Sequence, residues 1–256
     1  MLEARGLTKY YSGVLAVGDV TFSLSPGQVL GYLGPNGSGK STTVGMITGL
    51  LEPSRGAVFY QGRDIRDDLV AFRRQLGYVP EEPHLYPFLS GREYLELVGR
   101  LRGIPERTLA RRIDGLLDRF DLAGRRDWSI GGYSKGMRQK ILISAALLHD
   151  PSVLVFDEPL SGLDVTAALV VRHLVRELAR AGKMVLYSSH MLEVVEKICS
   201  EVIVLHRGRV VAHDSVEKLR EIMALESLEE VFAELTRQED PAVAARDIVG
   251  VMAAGR

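Results

Sequence analysis

Cysteine is nearly missing from this sequence: Cys199 stands alone in 256 residues. One thiol cannot close a disulfide within the chain, so a disulfide-stapled secreted scaffold is excluded. The composition suits a reducing compartment, with Cys199 expected as a buried structural thiol. No uninterrupted apolar run approaches the roughly 20 residues that span a bilayer. Any work at a membrane would therefore go through a partner. The opening residues, Met1-Leu2-Glu3-Ala4-Arg5, do not show the charged-then-apolar order of a signal peptide, and the expectation is a soluble cytoplasmic chain. A surplus of charge is also lacking. The 32 Lys and Arg balance 33 Asp and Glu to a net charge of −1, so no global field draws the chain to nucleic acid or an anionic lipid surface. What is present is ordinary for a globular protein: 46% apolar and 25% charged residues, in a length that suits one or two domains.

One stretch is not ordinary. Gly34-Pro35-Asn36-Gly37-Ser38-Gly39-Lys40-Ser41-Thr42 follows the apolar run Val29–Leu33 and precedes a segment able to open a helix. Strand, glycine loop and helix occur with G-x-x-x-x-G-K-[ST] spacing from Gly34 to Ser41. Glycines let successive N–H groups converge into an anion nest, and the helix start adds its positive dipole end. Lys40 is then placed for the β- and γ-phosphates and the Ser41 hydroxyl for Mg²⁺.

Around it the pattern alternates strands and helices. Strands are expected at Leu2–Leu7, Val17–Leu24 and Val29–Leu33, with Tyr10-Tyr11 between the first two. Two tyrosines beside a phosphate site suit either stacking on a flat base or packing at a strand end. A helix is expected from the glycine loop to about Leu50, a short strand at Ala57–Tyr60, a helix at Asp67–Arg74 and a strand returning at Gly77–Val79. Composition changes at Ser90. Residues 90–130 read as a helical insertion, with capping-box spacing at Ser90-Gly91-Arg92-Glu93 and a second helix from Pro105 to about Phe120. The arginines Arg107, Arg111, Arg112 and Arg119 read as a solvated face. Ser134 suits an N-cap for a helix running to about Leu148. Val153–Phe156 reads as a buried strand ending at Asp157-Glu158. Ser161-Gly162-Leu163-Asp164 caps a helix that Ala181-Gly182 stops. Met184–Tyr187 ends at Ser188-Ser189-His190, and a helix at Met191–Ile198 follows. Strands at Val202–Leu205 and Arg209–Ala212 flank Arg207-Gly208. After Ser215 two short helices are expected, the second near Leu228–Leu235, with a loose last dozen residues. The alternation predicts an α/β fold with a mostly parallel sheet and ligands at the carboxyl ends of its strands.

Asp157-Glu158 closes a buried strand, which is where a P-loop site carries its magnesium carboxylate and where a second carboxylate can activate water. His190 ends another strand converging on the same crevice, in reach of a γ-phosphate.

Tyr133-Ser134-Lys135-Gly136-Met137, ahead of Asp157-Glu158, resembles the signature motif of the ABC (ATP-binding cassette) ATPases. The similarity runs from about Leu2 to Ala212 with the motifs in order. It implies a P-loop NTPase core, an N-terminal antiparallel β subdomain and an inserted α-helical subdomain. Residues 1–215 would form the ATPase domain, with about 90–150 inserted, and 216–256 a short helical tail. It implies ATP and Mg²⁺ as ligands. Tyr11 would stack on adenine, with Tyr10 as runner-up. Gly34 to Thr42 would hold the phosphates, and Ser41, Glu81 and Asp157 the metal. Glu158 would be the base and His190 the switch histidine. Ser134, Lys135, Gly136, Met137 and Asp164 would reach ATP bound to a second copy. Two cassettes sandwich two ATPs head to tail in this family, so a chain with one motif set is expected to dimerise and to power a separate integral membrane permease from the cytoplasmic face. Glu81 replaces the usual Q-loop glutamine, and Lys135 and Met137 replace a signature glycine and glutamine. Both variants resemble exporters paired with ABC-2 type permeases. A nucleic-acid or ribosome cassette protein is the rival, but paired cassettes, coiled-coil or zinc insertions and a basic tail are missing. A nucleotide-binding regulator without turnover is disfavoured by Glu158 and His190.

Overall fold

Leu2 to Leu24 folds as one long hairpin in this computed structural model, which describes residues 1–82 and 84–223. Strand β1 (Leu2–Tyr11) pairs antiparallel with β2 (Val14–Leu24), Leu2 opposite Leu24 and Tyr11 opposite Val14. Tyr10 and Tyr11 are thus strand residues rather than loop residues. The turn needs only Ser12 and Gly13, whose φ values of 48° and 83° give the two left-handed residues a tight hairpin requires. Along β2, Val20, Phe22 and Leu24 are buried and Thr21 and Ser23 exposed, as the period-2 pattern predicts.

The chain continues through β3 (Val29–Leu33) and the glycine loop into α1 (Lys40–Ile47), which ends earlier than Leu50 because Thr48 caps it and Gly49 turns at φ 67°. Strands β4 (Arg55–Tyr60) and β5 (Arg63–Asp64) form a small hairpin whose second strand is too short to show a period. Helix α2 (Leu69–Arg74) starts on Asp68, whose carboxylate accepts from Ala71 N–H, and leads to β6 (Leu76–Val79). Helix α3 (Gly91–Leu101) carries the full capping box on Ser90 and Glu93, and α4 (Glu106–Arg119) begins after Pro105. Two short 3-10 turns, Ala123–Arg125 and Ile130–Gly132, occupy a stretch with no readable period. Then come α5 (Lys135–Leu147), β7 (Val153–Asp157), α6 (Val165–Arg180), β8 (Met184–Ser189), α7 (Leu192–Ile198), β9 (Glu201–His206), β10 (Arg209–Ser215) and α8 (Val216–Met223). The helix expected near Leu228–Leu235 and the loose end lie outside the described residues.

Two sheets result. One is antiparallel, in the order β2-β1-β4-β5; the other runs β10-β9-β3-β8-β7-β6, parallel except for the β9–β10 edge hairpin. This is the P-loop NTPase arrangement. The parallel strands are buried on both faces and so read as unbroken apolar runs. On one face Leu30, Tyr32, Val153, Val155, Met184 and Leu186 pack with Val44, Met46 and Ile47 of α1 and with the antiparallel sheet. On the other, Val29, Leu33, Leu154, Phe156, Val185 and Tyr187 meet the helices. Cys199 is buried there, and burial pushes its thiol well above the usual range, as expected of a structural cysteine.

Candidate functional site

The glycine loop sits where β3 leaves the sheet. Gly39 takes φ 105° as the N-cap of α1, and a Cβ there would stand 2.8 Å from the Ala16 carbonyl oxygen. No other residue type fits this turn without moving β2. The loop leans on the β9–β10 turn, where Gly208 N–H donates to the Ser38 carbonyl at 2.9 Å. Thr43 on α1 bonds the Tyr32 hydroxyl at 3.1 Å, tying helix to strand. Lys40 is 8% exposed, and its ammonium donates to the carbonyls of Gly34 (2.7 Å) and Pro35 (3.3 Å). The mouth is a cleft of about 510 Å³ lined by Asn36, Gly37, Lys40, Ser41, Thr42, Glu81 and Glu158, among others. Pro35 and Ser38 shape the loop from behind, where the Ser38 hydroxyl is buried with no partner among the described residues.

Opposite the loop, β7 and β8 run parallel with Asp157 level with Ser188. Asp157 is 2% exposed, and its Oδ1 finds no hydrogen-bond partner among the described residues. Burial pushes its carboxyl upward; the Ser188 side chain opposes this, the nearby charges of Glu81 and Glu158 add to it, and Lys40 opposes it. Glu158 stands at φ 47°, a left-handed conformation costing a non-glycine residue about 1–2 kcal/mol. Its N–H donates to the Ser188 carbonyl at 3.0 Å, which fixes the turn. The Glu158 carboxylate has three contacts. Oε1 accepts from His190 N–H at 2.8 Å and lies 2.7 Å from His190 Nδ1, while Ser189 Oγ donates to Oε2 at 3.2 Å. The two strand-end residues singled out from the sequence are therefore in direct contact. Ser189, which holds the carboxylate from below, is a residue that reading missed; its one signal was its place between a buried strand and His190.

The signature residues line a different cleft, of about 710 Å³, with Ser134, Gly136, Met137 and Asp164 on its wall. Ser134 caps α5 by accepting from Met137 N–H at 3.2 Å, and Asp164 caps α6 by accepting from Ala167 N–H at 2.8 Å. That backbone bond holds the Asp164 carboxyl below the usual range. The two helix starts touch: a Cβ on Gly136 would lie 2.6 Å from the Gly162 carbonyl oxygen, and the Lys135 stem packs over Gly162. No described residue lines both this cleft and the glycine-loop cleft. Tyr11 and Tyr10 are exposed at the end of β1 and line neither; Leu15 and Ala16 of β2 wall the glycine-loop cleft instead. A larger cleft of about 820 Å³ between β4, β5 and α2 holds none of the residues singled out from the sequence.

The family profile described as ABC transporter matches residues 17–161, more than half the chain. The chain belongs to the ABC transporter ATPase family. It is 39% identical over 220 residues to the ABC transporter ATP-binding protein NatA of Bacillus subtilis (strain 168), covering 86% of this chain and 89% of that one. It is 35% identical to the Nod factor export ATP-binding protein I of Ralstonia nicotianae (strain ATCC BAA-1114 / GMI1000), covering 86% of this chain and 68% of the other. Among solved structures, an ATP-binding subunit of an ABC transporter superposes with TM-score 0.87 at 37% identity, covering 92% of this chain and 99% of that one. A dimeric post-hydrolysis state of the ATP-binding cassette MJ0796, bound to ADP and Pi, superposes with TM-score 0.78 at 25% identity, covering 84% and 98%. This ABC cassette is accordingly an ATP-binding, ATP-hydrolysing subunit of a transporter.

Proposed function

We propose that two copies of this chain close head to tail over two ATP molecules, and that a separate integral membrane permease converts closing and reopening into export of a substrate. The observation that carries this reading is the division of the chemistry between two clefts. The glycine loop and Glu158, which His190 contacts, line one, and Ser134, Gly136 and Asp164 line the other. A phosphate held in the first cleft of a lone copy meets no signature residue.

In this reading the triphosphate lies against the N–H groups of Gly34 to Thr42 and the start of α1. Lys40 leaves the Gly34 and Pro35 carbonyls for the β- and γ-phosphates. Tyr11 swings over the adenine from the end of β1. Glu158 orients the attacking water and takes its proton, and His190 turns from Glu158 to the γ-phosphate. Ser134 and the first N–H groups of α5 in the second copy form an anion nest on the far side of that phosphate. Lys135, Gly136, Met137 and Asp164 hold that nest against the opposing loop. Ser41, Asp157 and Glu81 offer a hydroxyl and two carboxylates, the hard oxygen donors magnesium takes, and the unpartnered buried Oδ1 of Asp157 fits such an ion. An ion held there would supply positive charge against the phosphate oxygens of the bound nucleotide.

The exporter relative supports the direction. No described helix is long and apolar enough to cross a membrane. In this reading the permease is a separate chain and this one sits on its cytoplasmic face. The exposed rings of Tyr86 and Phe88, centroids 5.8 Å apart, lie after Glu81 and provide an apolar contact for it. Residues 1–215 form the ATPase unit, with about 90–150 as its helical insertion and the tail following. The near-zero net charge argues against a nucleic-acid partner.

Complementation tests the arrangement. Lys40→Ala and Ser134→Arg chains should each fail to turn over ATP. Mixed, they form dimers in which the intact loop of one faces the intact signature of the other, and activity returns. Two inactive partners that stay inactive when mixed, despite forming mixed dimers, would refute it.

A further inference from the structure

We propose that Trp128 is a stacking shelf for the nucleobase of the ATP held by the second copy, so that each base is gripped from both sides of the dimer. The inference rests on the two-copy reading above and adds a binding residue to it.

Trp128 is the only tryptophan in the chain and is 55% exposed. Tryptophan is enriched at contact surfaces, where a large apolar ring with a polar tip finds a partner. The ring is not loose. The Arg125 guanidinium lies over it, 5.1 Å from the centroid, and the Trp128 backbone N–H donates to the Arg125 carbonyl at 3.0 Å. The same carbonyl accepts from the Tyr133 hydroxyl at 2.7 Å, and an Arg125 N–H reaches Met137 Sδ at 3.5 Å. The shelf is thereby fixed to the first turn of α5, whose N-cap is Ser134. Arg125 covers one face of the indole.

Arg125, Trp128, Ser134, Gly136 and Asp164 all line the one cleft of about 710 Å³. Its two parts differ in chemistry. The α5 start offers hydroxyl and N–H donors suited to phosphate. The Trp128 part offers a flat aromatic surface backed by the Arg125 guanidinium, an arrangement that suits stacking of a planar base. A nucleotide whose γ-phosphate lies at Ser134 has one flat group left to place, and the shelf lies in the same cleft. Stacking of this kind accepts any base, so the shelf strengthens closure without choosing among purines.

The experiment uses the full chain carrying Glu158→Gln, with dimerisation followed by sedimentation and Trp128 by its own emission. ATP should change the emission in step with dimer formation as protein concentration rises, and a Lys40→Ala chain should show neither. Adding Trp128→Ala should weaken dimerisation on the order of tenfold per site, hence on the order of a hundredfold for two sites, while Trp128→Phe restores most of it. ATP binding to a single copy should be unaffected by either change. Dimers that form with unchanged emission, an equal change with baseless inorganic tripolyphosphate, or undiminished dimerisation of Trp128→Ala would each overturn the shelf alone. Failure of the Glu158→Gln chain to dimerise with ATP at all would overturn the two-copy reading and the shelf together.

Discussion

Glu158→Gln is the perturbation for which the structure sets the terms most tightly. The carboxylate accepts from His190 N–H, His190 Nδ1 and Ser189 Oγ. A glutamine of the same shape can present its carbonyl oxygen where Oε1 now sits and keep both His190 contacts. Its amide nitrogen then faces Ser189, whose hydroxyl already accepts from Met191 N–H at 3.0 Å and has a second lone pair free to accept from the amide. Only the Ser189 hydroxyl hydrogen, which donated to Oε2, loses its acceptor, and position 158 keeps a side chain with the same backbone preference at φ 47°. The fold should therefore hold, with a change within about 0.5–1.5 kcal/mol, the net worth of one hydrogen bond. The chemistry should not hold, because an amide cannot take a proton from water. General-base catalysis is worth roughly 10²–10⁴ in rate, or about 3–5 kcal/mol of barrier. Steady-state phosphate release should fall by that factor, while ATP affinity and the melting temperature stay near wild type. Turnover within about threefold of wild type, in a chain whose ATP binding is intact, would show that Glu158 is not the base. Glu158→Ala is the poorer probe, since it leaves the Ser189 and His190 donors unpaired and confounds stability with catalysis.

Two further outcomes follow from buried titrating groups. Asp157 has a carboxyl raised by burial, so its contribution to stability is greatest at low pH and is lost as pH rises through its folded value. Asp157→Asn should therefore raise the melting temperature of the nucleotide-free chain at neutral pH and abolish the further rise that Mg·ATP gives wild type; an undiminished Mg·ATP rise would remove Asp157 from the metal. His149 donates from Nε2 to the Leu76 carbonyl at 3.1 Å and has a buried Nδ1 with no partner among the described residues; burial, with Arg102 adding, lowers it from 6.5 to about 4. Its stabilising contribution is complete above pH 6.5 and is lost as pH falls towards 4, so His149→Gln should flatten the fall in melting temperature across that window, and an unchanged slope would refute the assignment.

What the chain determined by itself is local. The glycine loop, the caps at Ser90, Ser134 and Asp164 and the stop at Ala181-Gly182 each satisfy a backbone demand within a few residues, so the demand and its answer lie side by side. The buried strands were legible too, because a parallel strand covered on both faces must be apolar throughout. Tyr10 and Tyr11 went to the wrong side of a boundary, since the turn takes only Ser12 and Gly13. The β5 strand and the 3-10 turns are shorter than any period that would announce them.

Tertiary structure alone decided which ends meet. Glu158 and His190 are 32 residues apart, and they touch because β7 and β8 lie adjacent in register with Asp157 opposite Ser188. The Arg207-Gly208 turn braces the glycine loop only because β9 pairs with β3. The separation of the signature from the loop it resembles a partner for is likewise a matter of where α5 packs. Strand order and register are set by the sum of many weak side-chain contacts, and no short stretch of sequence carries that sum.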